Sequence, residues 1–221
     1  MAPESEQSGS SHSLTLKRPL RIRRVSGKQF AVDGTPTDCI LLAIAEIMNK
    51  NQPDLVISGI NRGGNLGGDI TYSGTIAGAM EGTLLGIKSI ALSQVYDRGN
   101  AIPWATSRHW TPKVLSFLSK IEFAPGVLMN INFPPVKFNE VLGMTGTMQG
   151  EGKIGDEISV SCDPRDEKYF WIGPQKLEKK CKKGTDLYAI SKNMISITPL
   201  SLNLTDTLSL KYLKRSIKNA M

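Results

Sequence analysis

The sequence predicts a doubly wound, mostly parallel α/β sheet that carries a β-hairpin-rich C-terminal extension. Three observations carry this. The short continuous apolar runs "PDLVISGI", "SIALSQV" and "VLMNINFP" have the character of strands buried on both faces of a parallel sheet. Segments of helical periodicity stand between them, so that strands and helices alternate. After residue 135 the texture changes to short β segments separated by Gly and Asp. The expected division is a core over 1–135 and, over 136–221, a β-rich extension that ends in a helix.

The elements follow in order. "PLRIRRV" and "QFAVDG" alternate apolar and polar residues and predict two strands turning at Ser26-Gly27-Lys28. "TPTDCILLAIAEIMNK" predicts a helix capped by Thr37 or Asp38, with Leu41, Ile44, Ala45 and Met48 at helical spacing. The strand "PDLVISGI" comes next. "SGTIAGAMEGTLLGI" predicts a helix, with Ala77, Met80, Glu81 and Leu84 at helix intervals. Gly78 and Gly82 weaken it in isolation and let it approach a sheet closely. "WTPKVLSFLSKIEF" is a further expected helix between the strands "SIALSQV" and "VLMNINFP". In the extension, "VLGMTGTMQG", "EISVSC", "EKYFWIG" and "TDLYAISKNMISITPL" are expected as short β segments, and "DTLSLKYLKRSIK" as a closing helix.

Composition excludes several classes. Cys39, Cys162 and Cys181 are odd in number and widely spaced, which argues against a disulfide framework or a zinc cluster and points to a reducing cytoplasm. No apolar run reaches the roughly 18 residues that span a bilayer, and "MAPESEQSGSSHS" lacks the basic start and apolar centre of a secretory signal, so no membrane partner is expected. The net charge of +7 comes partly from "LKRPLRIRR" (16–24) and "KLEKKCKK" (176–183). Neither run has the interleaved aromatics of a single-strand binder, so both are expected as solvated faces with no specific nucleic acid.

The stretch from Asn61 to Thr75 concentrates Gly, Asn, Asp, Ser and Thr between a strand and a helix. Asn61 falls at the carboxyl end of its strand, where open parallel sheets bind ligands. Ser73, Gly74 and Thr75 open the next helix, whose free N–H groups favour an anion. The spacing fits neither the dinucleotide fingerprint nor a P-loop. Two readings stay open on the residues alone: a grip on phosphate or metal, or a glycine-shaped turn with Ser73 as a helix cap.

Four separated segments in the same order, "QSGSSHSLTL", "GTPTDC", "SGINRGGNLGGDITYSGTIAGAMEG" and "GTDLYAISKNMISITPL", resemble the survival protein SurE family over essentially the whole chain. The resemblance implies a Rossmann-like core and a metal-dependent 5'-nucleotidase, which hydrolyses nucleoside monophosphates to nucleoside and phosphate with magnesium or manganese. It implies homodimers or homotetramers assembled through the C-terminal part. Carried onto this chain, it implies Ser8 and Asn61 as metal ligands, Asn65 and Ser73 as the catalytic pair holding the phosphoryl group, and Gly74 and Thr75 as further substrate contacts. It also implies an Asp-Asp-Gly loop that brings most of the charge to the metal. This chain has no Asp-Asp pair. The expectation is therefore that a strand, its loop and a helix, roughly 30 residues by the size of a βα unit, belong before the part matched by Met1. Turnover by the 221 residues is then expected to be impaired, the alternative being an inactive remnant that binds nucleotide or phosphate, or only oligomerises.

Other polar residues are expected in structural roles: His12 as a local feature of its loop, Asp33 and Asp38 in a turn and helix cap, Cys39 on a buried helix face. Trp104, Trp110 and Trp171 are expected in packing, and Tyr72 or Tyr169 as a surface on which a base could stack.

Overall fold

The computed structural model describes residues 1–48, 51–97, 99–152, 158–173 and 181–220. Ala2–Pro3 (β1), Ile22–Ser26 (β2) and Gln29–Val32 (β3) form a small sheet in the order β1-β3-β2. Ser26 pairs with Gln29, so the hairpin turns at Gly27-Lys28 as expected. The arginines of β2 face solvent, with Arg23 Nε 2.8 Å from Glu4 Oε1, and Arg18, upstream of the strand, pairs with Asp33 at 3.1 Å. Residues 176–180 of the second basic run lie outside the described residues.

Helix α1 (Pro36–Leu42) continues as a wider π-helical segment, Ala43–Ile47. Its cap is neither Thr37 nor Asp38 but Thr35. The Thr35 hydroxyl accepts from the Asp38 N–H at 3.1 Å, and the Asp38 carboxylate accepts from the Thr35 N–H at 2.8 Å. Pro36 sits at the first helical position, where its missing N–H costs nothing, and this moves the start two residues earlier.

The main sheet is built from Leu55–Arg62 (β4), Lys88–Gln94 (β5), Val127–Phe133 (β6), Met144–Gly146 (β7) and Ile195–Ser201, in the order β4, β5, β6, Ile195–Ser201, β7. The first three are mutually parallel. Ile195–Ser201 runs antiparallel to β6 and parallel to β7. β5 and β6 are buried as their apolar runs require. β4 departs from expectation: it is the edge strand, with Val56 buried but Leu55 and Ile57 36% and 43% exposed. A continuous apolar run signals two covered faces, yet among the described residues neither an outer strand nor a full second layer covers this one.

Helix α2 (Gly74–Leu84) lies on one face of the sheet, where Ile76 and Ala79 join Ile70, Ala91, Leu128 and Leu200 in a buried cluster. Its glycines permit close approach: a Cβ on Gly78 would stand 2.8 Å from Ser58 Oγ, and one on Gly82 would stand 2.5 Å from Ser89 Oγ. Helix α3 (Trp104–Leu118) covers the other face, packing Val114 and Leu118 on Ile90, Leu92, Ile131, Phe133, Ile195 and Ile197. Burial of each large side chain in this core contributes about 1.5–3 kcal/mol. α3 starts six residues before the expected Trp110. Its first turns carry buried polar residues that apolar periodicity does not reveal: Thr106 Oγ1 donates to Val136 O at 2.5 Å and the Ser107 N–H donates to Gln94 Oε1 at 3.1 Å.

In the extension, Ile158–Cys162 (β8) and Lys168–Ile172 (β9) form an exposed antiparallel hairpin. Trp171 on β9 is 68% exposed and Trp104 40%, so of the three tryptophans expected in packing only Trp110 packs against the core. "TDLYAISKN" is not a strand but a helix, α4 (Asp186–Ser191), capped by Thr185, whose Oγ1 accepts from the Tyr188 N–H at 3.3 Å. The capping threonine, with an acidic residue in the first turn, outweighs the β-like alternation of the segment. Ile195–Ser201 (β10) follows and, with β7, completes the main sheet. Thr207–Ala220 (α5) closes the chain without a buried residue.

Candidate phosphate site

The carboxyl end of β4 and the N-terminus of α2 meet through two side chains. Thr75 Oγ1 donates to Asn61 Oδ1 at 3.2 Å, and Asn61 Nδ2 donates to Gly63 O at 3.0 Å. The backbone between them folds over the sheet end as a 3-10 turn, Gly67–Tyr72, before Ser73 caps α2. Ser73 Oγ accepts from the Ile76 N–H at 3.1 Å. The cap thus occurs as the plain reading of the residues predicted, and it leaves the Ser73 hydroxyl proton available to donate.

Asn65 is buried, and its contacts lie beneath the loop. Its Nδ2 donates to Ser93 Oγ at 2.7 Å and its N–H donates to Asn132 Oδ1 at 2.8 Å. Its carbonyl accepts from Asn130 Nδ2 at 2.8 Å and from Asn132 Nδ2 at 3.0 Å. One amide proton of its side chain remains beyond the Ser93 bond. Two residues on, Asp186 Oδ2 accepts from the Gly67 N–H at 2.9 Å, while Asp186 Oδ1 accepts from Gly150 and Leu187 N–H groups, each at 2.8 Å. Burial raises the Asp186 pKa above the ordinary carboxylate value, against these three N–H donors. Sequence reasoning missed Ser93, Asn130, Asn132 and Asp186. The signal was present in "NIN": two asparagines on one face of an otherwise apolar strand.

The segment that carries Ser8 crosses the start of α2. Ser11 donates through its N–H to Tyr72 O at 3.0 Å and through Oγ to Thr71 O at 2.8 Å. A Cβ on Gly74 would stand 2.7 Å from Ser10 Oγ, a buried oxygen without a hydrogen-bond partner among the described residues. Ser8 itself is exposed and its Oγ donates to Glu6 Oε1 at 2.9 Å. His12 is more than a local loop feature: its Nε2 lies 2.9 Å from Glu81 Oε2, which ties this segment to the middle of α2.

The expected metal ligands do not make a metal centre by themselves. Ser8 and Asn61 are neutral, Asn61 Oδ1 already accepts from Thr75, and among the described residues no group of three His, Cys, Asp or Glu side chains could hold an ion. Hard divalent cations require several oxygen ligands with anionic charge among them, so this donor set does not fit one.

Asp38 and Cys39 keep to structure. Burial opposes the Asp38 charge, but hydrogen bonds from Thr15 and Thr35 outweigh it and hold the pKa below its usual value. Burial pushes the Cys39 thiol up to about 11, which leaves it unreactive near neutrality. Tyr72, 43% exposed, stands directly before Ser73, whereas Tyr169 lies on the β8–β9 hairpin.

Comparison with known proteins agrees with this architecture. The family model described as Survival protein SurE matches residues 1–156. The protein named 5'-nucleotidase SurE from Paramagnetospirillum magneticum is 51% identical over 214 residues, covering 97% of this chain and 82% of that protein. One of the same name from Rhodospirillum rubrum is 48% identical, covering 93% and 80%. The crystal structure of the SurE protein from Aquifex aeolicus superposes with a TM-score of 0.83 at 36% identity, covering 96% of this chain and 86% of that one. With its sheet, its helix layers and its loop from Asn61 to Thr75, the chain belongs to the SurE family.

Proposed function

We propose that this chain is a phosphoric monoester hydrolase of the 5'-nucleotidase type, acting on nucleoside monophosphates at the loop Asn61–Thr75. The carrying observation is the Thr75–Asn61 hydrogen bond, which brings a strand's carboxyl end and a helix N-terminus to one place. Relatives named as 5'-nucleotidases support the reaction. The Gly74 and Thr75 N–H groups would bind phosphoryl oxygens at the helix start. The Ser73 hydroxyl and the remaining Asn65 amide proton would donate to the charge that develops on the phosphoryl group. Tyr72, exposed and directly before Ser73, would offer a surface on which a base could stack.

The ion proposed for the full reaction is magnesium or manganese, with Ser8 and Asn61 among its ligands. Since these neutral oxygens do not hold it alone, turnover by the 221 residues is impaired, and the chemistry of the residues present is phosphate binding. The same observation favours a second reading, a protein that binds nucleotide without hydrolysing it. We place the protein in the cytoplasm and assign self-association, as a homodimer or homotetramer, to residues 136–221, where the β8–β9 hairpin and α5 expose apolar side chains.

Phosphate release from nucleoside monophosphates, measured with magnesium or manganese and again with chelator, tests the proposal together with nucleotide binding. Chelator-sensitive release establishes the hydrolase. Binding without release establishes the second reading. Neither binding nor release refutes both.

A further inference from the structure

β6 is a central strand, and apolar side chains would fill its positions 130 and 132 without needing partners. Instead both are asparagines with no exposed surface, on the same face of the strand. Buried amides are unfavourable unless hydrogen-bonded. Both place hydrogen bonds on the backbone of one residue, Asn65, which is 65 and 67 positions away in sequence. Asn132 both accepts from the Asn65 N–H and donates to its carbonyl. The peptide groups on either side of Asn65 are thereby fixed, and with them the direction of its side chain. Neighbouring Ser196, in register with Asn132 on β10, makes no such contact, and its Oγ is buried without a partner among the described residues.

The next anchor comes from the extension. Asp186 fixes the Gly67 N–H, Gln149 Nε2 donates to Gly67 O at 2.9 Å, and the Gly68 N–H donates to Gly152 O at 2.6 Å. Gly67 has φ +55°, and a Cβ there would stand 3.0 Å from Gly152 O, so the loop can lie this close only with glycine at that position.

We propose that Asn130, Asn132 and Asp186 are positioning residues that hold the Asn65–Gly68 backbone in its phosphate-binding form. They act through Asn65 and Gly67 and do not touch the substrate. The inference rests on the phosphate reading of this loop and extends it to residues on β6 and α4.

The test uses the 221-residue protein labelled with 15N and inorganic phosphate as the probe. In wild type, phosphate shifts the amide resonances of Asn65, Gly74 and Thr75, and the Asn65 amide exchanges slowly with solvent because Asn132 Oδ1 covers it. Asn132→Ala and Asp186→Asn each weaken phosphate binding roughly tenfold, the effect of losing a buried backbone partner. Asn132→Ala also releases the Asn65 amide to exchange while the amides of β5 stay protected, a change that general destabilisation does not produce. Ser196→Ala, which removes an unpartnered oxygen, leaves both readouts unchanged. If Asn132→Ala does not fold, Asn130→Ala removes a donor to the Asn65 carbonyl and is read by its phosphate affinity. Equal phosphate affinity in wild type and in the folded variants, or an Asn65 amide that stays protected in Asn132→Ala, overturns the inference alone. Wild-type amides that ignore phosphate overturn the phosphate reading, and the inference falls with it.

Discussion

Thr75 Oγ1 and Asn61 Oδ1 stand 3.2 Å apart, and this bond joins two elements whose sequence separation is 14 residues. Thr75→Val keeps the shape of the side chain and removes the donor. It should cost about 1 kcal/mol of stability, the usual net worth of such a bond, and leave the Thr75 backbone N–H in place. Thermal unfolding of the variant should show the loss, while phosphate affinity falls less than in Asn65→Ala. A variant as stable as wild type would show that the bond does not hold the loop.

Ser73 has two roles that substitution separates. Ser73→Ala removes the cap and the hydroxyl donor, with a stability loss of about 1 kcal/mol and weaker phosphate binding. Ser73→Asp restores a cap acceptor for the Ile76 N–H but brings a negative charge to the phosphate. Its stability should recover while its phosphate affinity stays at or below that of the alanine variant. Recovery of both would remove Ser73 from the phosphate contact and leave it as a cap.

The order of strands and helices was legible because apolar runs and helical periods record which faces are covered. What they do not record is polar burial. The early start of α3 rests on Thr106 and Ser107, and α4 rests on the Thr185 cap, so both were misjudged from apolar spacing. The loop residues Asn61, Ser73 and Thr75 stand out by composition and place, and Asn65 only through the family resemblance, yet the loop's support from Asn130, Asn132 and Asp186 depends on contacts between distant segments. The glycines of α2 show the opposite case: their spacing announced a close helix–sheet contact, and Ser58 and Ser89 lie against them.

Cys39 gives a pH-dependent prediction. Its pKa is raised from 9.0 to about 11 in the folded protein because burial disfavours the thiolate. A raised pKa contributes stability that is fully present below pH 9 and is lost as pH rises towards 11. Alkylation near pH 8 should therefore modify exposed Cys162 first and leave Cys39 protected until the protein unfolds. Cys39→Ala should flatten the decline of stability between pH 9 and 11 relative to wild type. Modification of Cys39 as fast as Cys162 in native buffer would contradict its burial.

Self-association should reside in the extension. Leu208, Tyr212, Leu213 and Ile217 of α5 are each at least half exposed, as are Phe170, Trp171 and Ile172 of β9. Side chains of this size rarely cluster in contact with water without a partner surface. Sedimentation should find a dimer or larger at micromolar concentration. Replacing Leu213 and Ile217 with Ser should shift the distribution towards monomer without loss of the main sheet. A monomeric wild type would count against the assignment.

The final prediction concerns turnover. A phosphate monoester is a dianion, and its hydrolysis requires the developing charge to be offset while water is oriented for attack. Helix-start N–H groups and the Asn65 and Ser73 donors can bind the phosphoryl group, but a divalent ion needs anionic oxygen ligands to remain in place. Here the implied ligands Ser8 and Asn61 are neutral, and Asn61 Oδ1 is already engaged by Thr75. The 221-residue protein should therefore bind inorganic phosphate or a nucleoside monophosphate and release essentially no phosphate with magnesium or manganese. Asn61→Ala should lower that binding no more than Thr75→Val does, because both remove the same hydrogen bond and Asn61 is assigned to the metal and not to the phosphate. Robust, chelator-sensitive hydrolysis by these 221 residues would show that other groups supply the missing charge and that the donor set has been misjudged.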